Sequence, residues 1–571
     1  MLVNCLIWIY IFLTTYALGR ILFLVLGIDV RKKFGNASIC SEDICISGFM
    51  VATVYAQIFS LFSGVGLLAN VLMVFVSVTL YVILFVKCPG NRLLSLAKNI
   101  KPLKSFLVLF LLLILSYGAS RGYFHLDSDL YHGQSIHWIE DYGVVRGLGN
   151  LHGRLAYNSS SFAVQALFSF AFLGGQSYHA CAGFMAFLVM ISSLKILHVF
   201  QDGKVFLSDF ARIASIYYVV NIYDEISSPA SDYFTMLIIC YIAVRFLEGA
   251  ENRVDVDFYV MPSLLVFFDL TVKLSAAPLC VVVLIPFVIL IRDKKYNKIF
   301  KYALCVLGIL LPYFVRNYII SGWLLYPSTA IDLFDPIWKI PEGAAVIDAD
   351  YIIAFGRGYS NMDAAHYTFF EWFPHWMAGL GRTEKILLLL SFAGVLTWAC
   401  NVLISFVNHK KPGKYVSLVS DYIIFSYIVS FIFWLLTSPL VRYGQGYLLM
   451  MPVLTFGAVY DRIVDFYDGK KIAKYLVRSV IFFIGLFLAY KGVMLGKYMK
   501  SVDYEPYYIF PQDYGVYDTY KVDLGGGHYV YAPVDGGALT GYYDFPSVPV
   551  NLDLPELYEP EVDDFSGGFL P

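Results

Sequence analysis

Charge is scarce in this chain. Lys, Arg, Asp and Glu make up only 15% of its 571 residues, while 59% are hydrophobic. A water-soluble body of this size would need far more polar surface to cover it, so a soluble globular fold is excluded. Net charge is −2, and no nucleic-acid partner is expected. Paired cysteines are missing too. The nine cysteines are scattered, most of them inside apolar runs, where a thiol acts as a small hydrophobe. Cys40 and Cys45 form the only close pair and have no second pair beside them, so a zinc site is not expected. No GxxxxGK[ST] loop occurs, which argues against ATP-driven transport by this chain alone. No repeat of 20–50 residues is visible. The stretch Leu2–Leu26 lacks a basic lead and a small-residue cleavage site, and reads as a retained helix.

Long apolar runs dominate what is present, and mean hydropathy is +0.67. Runs of about 20 apolar residues read as membrane-spanning helices. About fourteen are expected, near 5–26, 47–66, 68–87, 105–118, 178–199, 207–222, 232–249, 256–271, 276–291, 302–320, 384–406, 419–437, 445–460 and 478–496. The fold class is therefore an all-α polytopic membrane protein. Ser161–Leu173 is apolar but brief, and either lies flat at the interface or enters the membrane partway. Basic connectors at Arg31–Lys33, Lys87–Lys104, Arg292–Lys301, Lys410–Lys414 and Lys470–Arg478 fall on one side if the passes alternate. Positive residues collect on the cytoplasmic side. This places 119–177, 321–383 and the tail from 499 outside. That tail holds thirteen acidic residues and two lysines. Its YYIF and HYVYA runs read as short strands, and GGG at 525–527 as a turn. Three parts are expected: helices and linker in 1–104, a transmembrane catalytic region in 105–498, and the outer, β-rich tail 499–571.

Polar clusters fall on the outer side. The densest is 121–158, RGYFHLDSDLYHGQSIHWIEDYGVVRGLGNLHGRLAYN, with four of the ten histidines and the carboxylates Asp127, Asp129, Glu140 and Asp141. A carboxylate here can act as general base toward a hydroxyl. With His132 and His137 it can instead hold a divalent cation such as Mg or Mn. The bland alternative is a hydrated helix with Leu126 and Leu130 packed down. In EISSPASDY, Asp232 reads as an N-cap or as a substrate ligand. Lys273 in TVKLSAAP either snorkels to lipid or meets a phosphate. Arg316 in RNYIISGWLLYPS lies within an apolar run, where arginine is costly and tends to be paired or functional. Arg442, beside Tyr443 in TSPLVRYGQGY, offers the two-pronged fork that suits phosphate. HYTFFEWFPHWM (366–377) reads as an interfacial aromatic helix.

These segments resemble those of the GT-C glycosyltransferases, polytopic enzymes with an early catalytic Asp in a long first outer loop. DSDLYHGQSIHW, ISSPASD, KLSAAP, RNYIISGWLLYP and SPLVRYGQGY are similar to a group of bacterial membrane proteins suspected to make cell-surface polysaccharide. The resemblance covers roughly residues 105–498, with three further helices before it. It implies transfer of a sugar from a polyprenyl-phosphate donor to a glycan or lipid acceptor. The site would lie on the outer face of the bacterial cytoplasmic membrane. Asp127 would be the base, Asp129 its rival and His132 a helper. Lys273, Arg316 and Arg442, with Tyr443 and Asp232 nearby, would hold the donor. The oligosaccharyltransferase WWD-type motif and the adjacent Asp-Glu pair of protein mannosyltransferases are absent, which points away from protein acceptors. Two alternatives stand: an O-antigen-type polymerase or ligase, and a lipid or polysaccharide transporter. A transporter would place ionisable residues near the bilayer midplane, whereas those clusters crowd one face.

Overall fold

The computed structural model describes residues 1–35, 37–87, 102–121, 125–407, 415–468, 470–500, 507–535, 537–548, 556–557, 562 and 564–571. It is 72% helical. Among the described residues, twelve helices are long and apolar enough to cross a membrane, so the chain is a multi-pass membrane protein. They are α1 (Leu2–Leu26), α2 (Ser41–Phe59), α3 (Leu67–Lys87), α4 (Pro102–Arg121) and α5 (Cys181–Asp202). After a short α6 (Leu207–Asn221) come α7 (Ser231–Asn252), a short α8 (Val260–Val272), α9 (Leu274–Arg292) and α10 (Tyr296–Ser321). The last four are α11 (Arg382–Val407), α12 (Tyr415–Leu436), α13 (Val441–Phe466) and α14 (Lys471–Lys500).

The expected spans 207–222 and 256–271 are the two that fall short. They form α6 and α8, of 15 and 13 residues. At 1.5 Å per residue these reach about 22 and 20 Å, against roughly 30 Å of hydrocarbon. Both are mostly buried inside the bundle, which frees them from matching a lipid thickness. Each still joins the two ends of the molecule. α6 begins where Ser208 donates to Glu251 (2.6 Å), and the turn after it holds Tyr223, whose hydroxyl donates to Ile114 O near the end of α4 (2.9 Å). α8 follows Asp257, which pairs with Lys298, and closes where Ser159 Oγ donates to Val272 O at 2.8 Å.

One end of the bundle gathers basic connectors. Lys32 meets Asp255 at 3.2 Å and Lys298 meets Asp257, so Arg31–Lys33 and Arg292–Lys301 lie together. Lys410–Lys414, and all but the ends of Lys87–Lys104, lie outside the described residues. The tail occupies the opposite end. There the Met1 ammonium donates to Tyr507 O (2.7 Å) and Arg121 donates to Met499 O (3.2 Å).

The three N-terminal helices share the main core. Ile7, Trp8 and Phe49 belong to the same buried cluster as Phe234 and Met450. α1 and α2 approach so closely that a Cβ on Gly48 would stand 1.7 Å from Thr15 O, and one on Gly19 1.9 Å from Ile44 O. Small residues allow such contact where lipid offers no hydrophobic drive to pack. The apolar stretch after 160 enters the bundle: all of Ser160–Phe168 is buried. Phe369–Gly379 opens on a capping box, with Thr368 N donating to Glu371 at 2.7 Å. It buries Trp372 and Trp376 and exposes Phe370.

The tail folds as a hairpin of β3 (Thr519–Gly525) and β4 (His528–Pro533), turning on the expected glycines. Two-residue pairs β1 (Lys33–Phe34) with β2 (Ala37–Ser38), and β5 (Glu556–Leu557) with β6 (Phe569–Leu570), complete the strands described. HYVYA is strand, but YYIF is turn and bend. Its backbone is committed elsewhere: Tyr508 O and Ile509 O accept from Leu2 N and Val3 N. Trp138 anchors the tail, packed against Phe545, Phe565 and Phe569.

Candidate functional site

His125–Asp141 opens on a π-turn, Ser128–His132, that runs into a helix Gly133–Asp141. Gly133 N donates to Ser128 O, five residues back. Such wide turns occur often at functional sites. A Cβ on Gly133 would stand 2.9 Å from the Tyr514 ring of the tail. The turn sends consecutive side chains in different directions. Asp127 faces Arg442, Ser128 bonds Ser228 Oγ at 2.9 Å, and Asp129 faces the tail. Residues two apart on a helical turn point nearly opposite ways, so Asp127 and Asp129 do not share a site. Tyr131, one turn beyond Asp127, comes back to its side. Leu126 is exposed while His132 is buried. The loop therefore turns its polar groups inward, the reverse of a hydrated helix with its leucines packed down.

Four segments converge on Asp127. Arg442 Nη2 donates to Asp127 Oδ2 at 2.7 Å, and Nη1 contacts the His125 ring, 3.1 Å from Nδ1. Arg442 Nε lies 3.3 Å from Asp232 Oδ2 without hydrogen-bond alignment. Lys273 Nζ donates to Asp232 Oδ1 and sits 3.6 Å above the Tyr443 ring. His125 Nδ1 is 3.3 Å from Asp127 Oδ2. All these contacts to Asp127 fall on Oδ2. Among the described residues, none is made to Oδ1.

Helix ends supply these groups. Asp232 stands in the first turn of α7, but Ala230 occupies the cap position, so the expected cap is not its role. Its carboxylate is spent on Lys273 and Arg442 instead. Lys273 closes α8 in extended backbone, and Arg442 stands in the first turn of α13.

Burial raises the Asp127 carboxyl, but Arg442, His132 and His125 outweigh it and hold it below the usual carboxylate range. Burial, with Arg442 beside it, lowers His125. Burial brings His132 down to about 3, so it stands behind Asp127 as a neutral ring; among the described residues its Nδ1 has no hydrogen-bond partner. Burial raises Glu225, a further carboxylate within the field of Arg442, against a hydrogen bond from Tyr233.

Asp127, His132, Asp232, Lys273, Arg442 and Tyr443 thus come together. Asp129 and Arg316 do not. Asp129 Oδ2 accepts from Tyr517 at 2.8 Å, and its carbonyl accepts from Gly541 N at 2.9 Å. Arg316 is buried on α10 with neutral partners, donating to Asn158 Oδ1 at 3.0 Å and to Ser60 Oγ. His137 turns to Asp141 (3.2 Å) and to the Tyr542 ring, away from Asp127. Among the described residues, no three His, Cys, Asp or Glu side chains gather to hold a metal ion. Asp127 and Asp232 each face a cationic side chain. His125, Tyr131 and Glu225 were not anticipated as site residues. The only hint in the sequence was their place within the polar outer segments.

Asp269 was also missed. It lies one turn below Lys273 on α8, fully buried. A buried ionisable group at such depth marks a functional candidate.

No curated protein and no solved structure matches this chain. A family match spans residues 1–449 and so takes in every residue of the Asp127 cluster but not the tail. The chain belongs to the family described as Domain of unknown function (DUF8201).

Proposed function

We propose that this protein is a GT-C-like glycosyltransferase of the bacterial cytoplasmic membrane. It crosses the bilayer fourteen times, with α6 and α8 as two short enclosed passes, and its tail end faces outward. The basic connectors at the opposite end support this orientation. The donor is a sugar on polyprenyl phosphate, and the acceptor is a glycan or a lipid.

One observation carries the reading. An arginine and a lysine from separate helices meet at Asp232, and the arginine also holds Asp127, whose Oδ1 accepts no hydrogen bond among the described residues. Asp127 Oδ1 takes the proton of the acceptor hydroxyl. The acceptor's oxygen attacks the anomeric carbon, the bond from carbon to phosphate oxygen breaks, and the configuration inverts. Arg442 and Lys273 hold the departing polyprenyl phosphate. Without donor, the two cations are matched by Asp127 and Asp232. A phosphate that draws Arg442 toward itself also releases Asp127 from the charge that makes it a weak base. Substrate binding and activation of the base are thereby coupled.

The test is direct. Purified protein given polyprenyl-phosphate-linked sugars should release polyprenyl phosphate, and Asp127→Asn should not. Failure of the wild-type protein to release it from any mono- or diphosphate donor, across a set of glycan and lipid acceptors, would sink the reading. The transporter alternative draws on Asp269, which an enzyme acting only at the surface does not need. Donor-dependent flux of intact lipid across vesicles, without sugar release, would favour it.

A further inference from the structure

Two cavities outside the Asp127 cluster meet at one residue. The first, of about 280 Å³, lies between α1 and α3 and is lined by Tyr10, Asn70, Val71, Val74, Phe170 and Phe172. Its polar atoms are occupied within the protein. Asn70 donates to Leu167 O at 3.0 Å and accepts from Tyr10 at 3.1 Å. What remains is an apolar trough. Val71 and Val74 are exposed on a helix that is mostly bare of protein neighbours, so the trough opens toward the lipid.

The second cavity, of about 290 Å³, lies above it toward the tail. His137, Glu140, Asp141, Phe172, Tyr542 and Tyr543 are among its walls. Phe172 belongs to both. Gly66 lines the upper cavity and Asn70 the lower, one turn apart and joined by a 3.2 Å hydrogen bond. An apolar trough at membrane depth therefore continues into a polar pocket at the bundle's end.

The pocket's chemistry selects its occupant. Glu140 is buried and accepts from Ser177 at 2.8 Å and from Tyr542. The His137 ring is stacked between Tyr542 (4.3 Å) and Phe545 (3.9 Å), with Asp141 3.2 Å from Nε2. Carboxylate acceptors beside aromatic faces suit a hydroxyl-rich ring. Among the described residues lining either cavity there is no lysine or arginine. Two carboxylates without a cation repel a phosphate head.

We propose that this continuous groove binds a lipid with an uncharged glycosyl head, its chain along Val71 and Val74 and its sugar in the Glu140 pocket. The site is separate from Asp127. Tyr514, stacked on Tyr542 at 5.2 Å and bonded to His179, stands between them.

The full-length protein, released in a polyethylene-glycol-type detergent, should be given monoglucosyl diacylglycerol or phosphatidylglycerol and read by native mass spectrometry. The glucolipid should be retained at least about tenfold more than the anionic lipid, about 1.4 kcal/mol. Val74→Trp fills the trough from an exposed position and should abolish retention. Glu140→Gln should weaken retention where it folds. Octyl glucoside should displace the lipid, while an octyl polyethylene glycol ether at the same concentration should not. Equal retention of the two lipids, or full retention by Val74→Trp, would overturn the proposal. Asp127→Asn should retain the lipid as the wild type does, so this result stands apart from the outcome of the transferase test.

Discussion

Two clusters of paired charges, one toward each end of the bundle, are built differently. Near the basic end, Arg212 and Arg245 are held by Asp43, Asp209 and Glu248. Arg245 donates to Asp43 at 2.8 Å, Arg212 to Asp209 at 2.6 Å, and both reach Glu248. Every oxygen of these three carboxylates accepts a hydrogen bond. Their side chains are at most 8% exposed. At the tail end, Arg442, Asp127 and Lys273 keep 17–22% of their side-chain surface. There Arg442 crowds a histidine and, among the described residues, Asp127 Oδ1 accepts no hydrogen bond. The same residue types make a dry network with satisfied carboxylates at one end and a more open cluster at the other.

The largest effect should separate the two by activity. Asp127→Asn keeps the shape and loses the proton-accepting power. Transfer should fall by roughly 10²–10⁴-fold while the protein still purifies as a folded species. Full activity in Asp127→Asn would remove this loop from the chemistry.

The dry network should answer differently. Glu248→Ala takes one of two carboxylate partners from each of two buried guanidinium groups. Removing one partner of a buried ion pair costs about 3–5 kcal/mol, read as a lower melting temperature in detergent. The surviving folded fraction should transfer at the wild-type rate per molecule. Normal stability with lost transfer would make the inner network part of the mechanism and erase the contrast.

A smaller effect concerns the donor. Arg442→Ala removes charge-assisted bonds worth about 1.5–3 kcal/mol, so apparent donor affinity should drop roughly ten- to hundredfold. Arg442→Lys keeps charge but not the fork and should fall between. Unchanged donor dependence at fixed acceptor would leave Arg442 as a structural partner of Asp127.

Hydropathy alone located the twelve long helices, because membrane spans announce themselves by length and composition. It counted α6 and α8 among the spans without seeing that they are enclosed. The residues of the Asp127 cluster were visible as polar breaks between apolar runs. Which of them meet was not, because contacts such as Asp127 with Arg442 join residues 315 apart. Asp129 was inseparable from Asp127 by composition, since only the turn geometry points them apart. The inner network escaped notice: Arg212, Arg245 and Glu248 sit singly inside helices and gain meaning only from their neighbours. Ionisable residues thus do not crowd one face alone. Asp269 was hidden for the same reason.

The smallest effect uses that pair of carboxylates two residues apart. The shifts of Asp127 and Asp129 have opposite signs. Asp127 is held low by its cationic neighbours. Its contribution to stability is present above the unfolded value, about 3.9, and is lost as pH falls through the lower folded value. Asp129 is raised, because burial outweighs its hydrogen bonds from Tyr517 and Gly515. The folded state then binds this proton more tightly than the unfolded state. Its contribution is complete below the unfolded value and is lost as pH rises through the higher folded value. Asp129→Asn should flatten that decline and change stability at neutral pH by only ~1 kcal/mol, since the amide oxygen still accepts from Tyr517. Melting temperatures of the wild type and both asparagine variants, followed from about pH 2 to pH 7, test this. Removing Asp129 should lift the curve at the neutral end relative to the acid end. Removing Asp127 should change only the acid limb, near and below the unfolded value. Parallel curves for the two variants would mean that both carboxylates feel the same surroundings, and the division of labour between site and tail would fail.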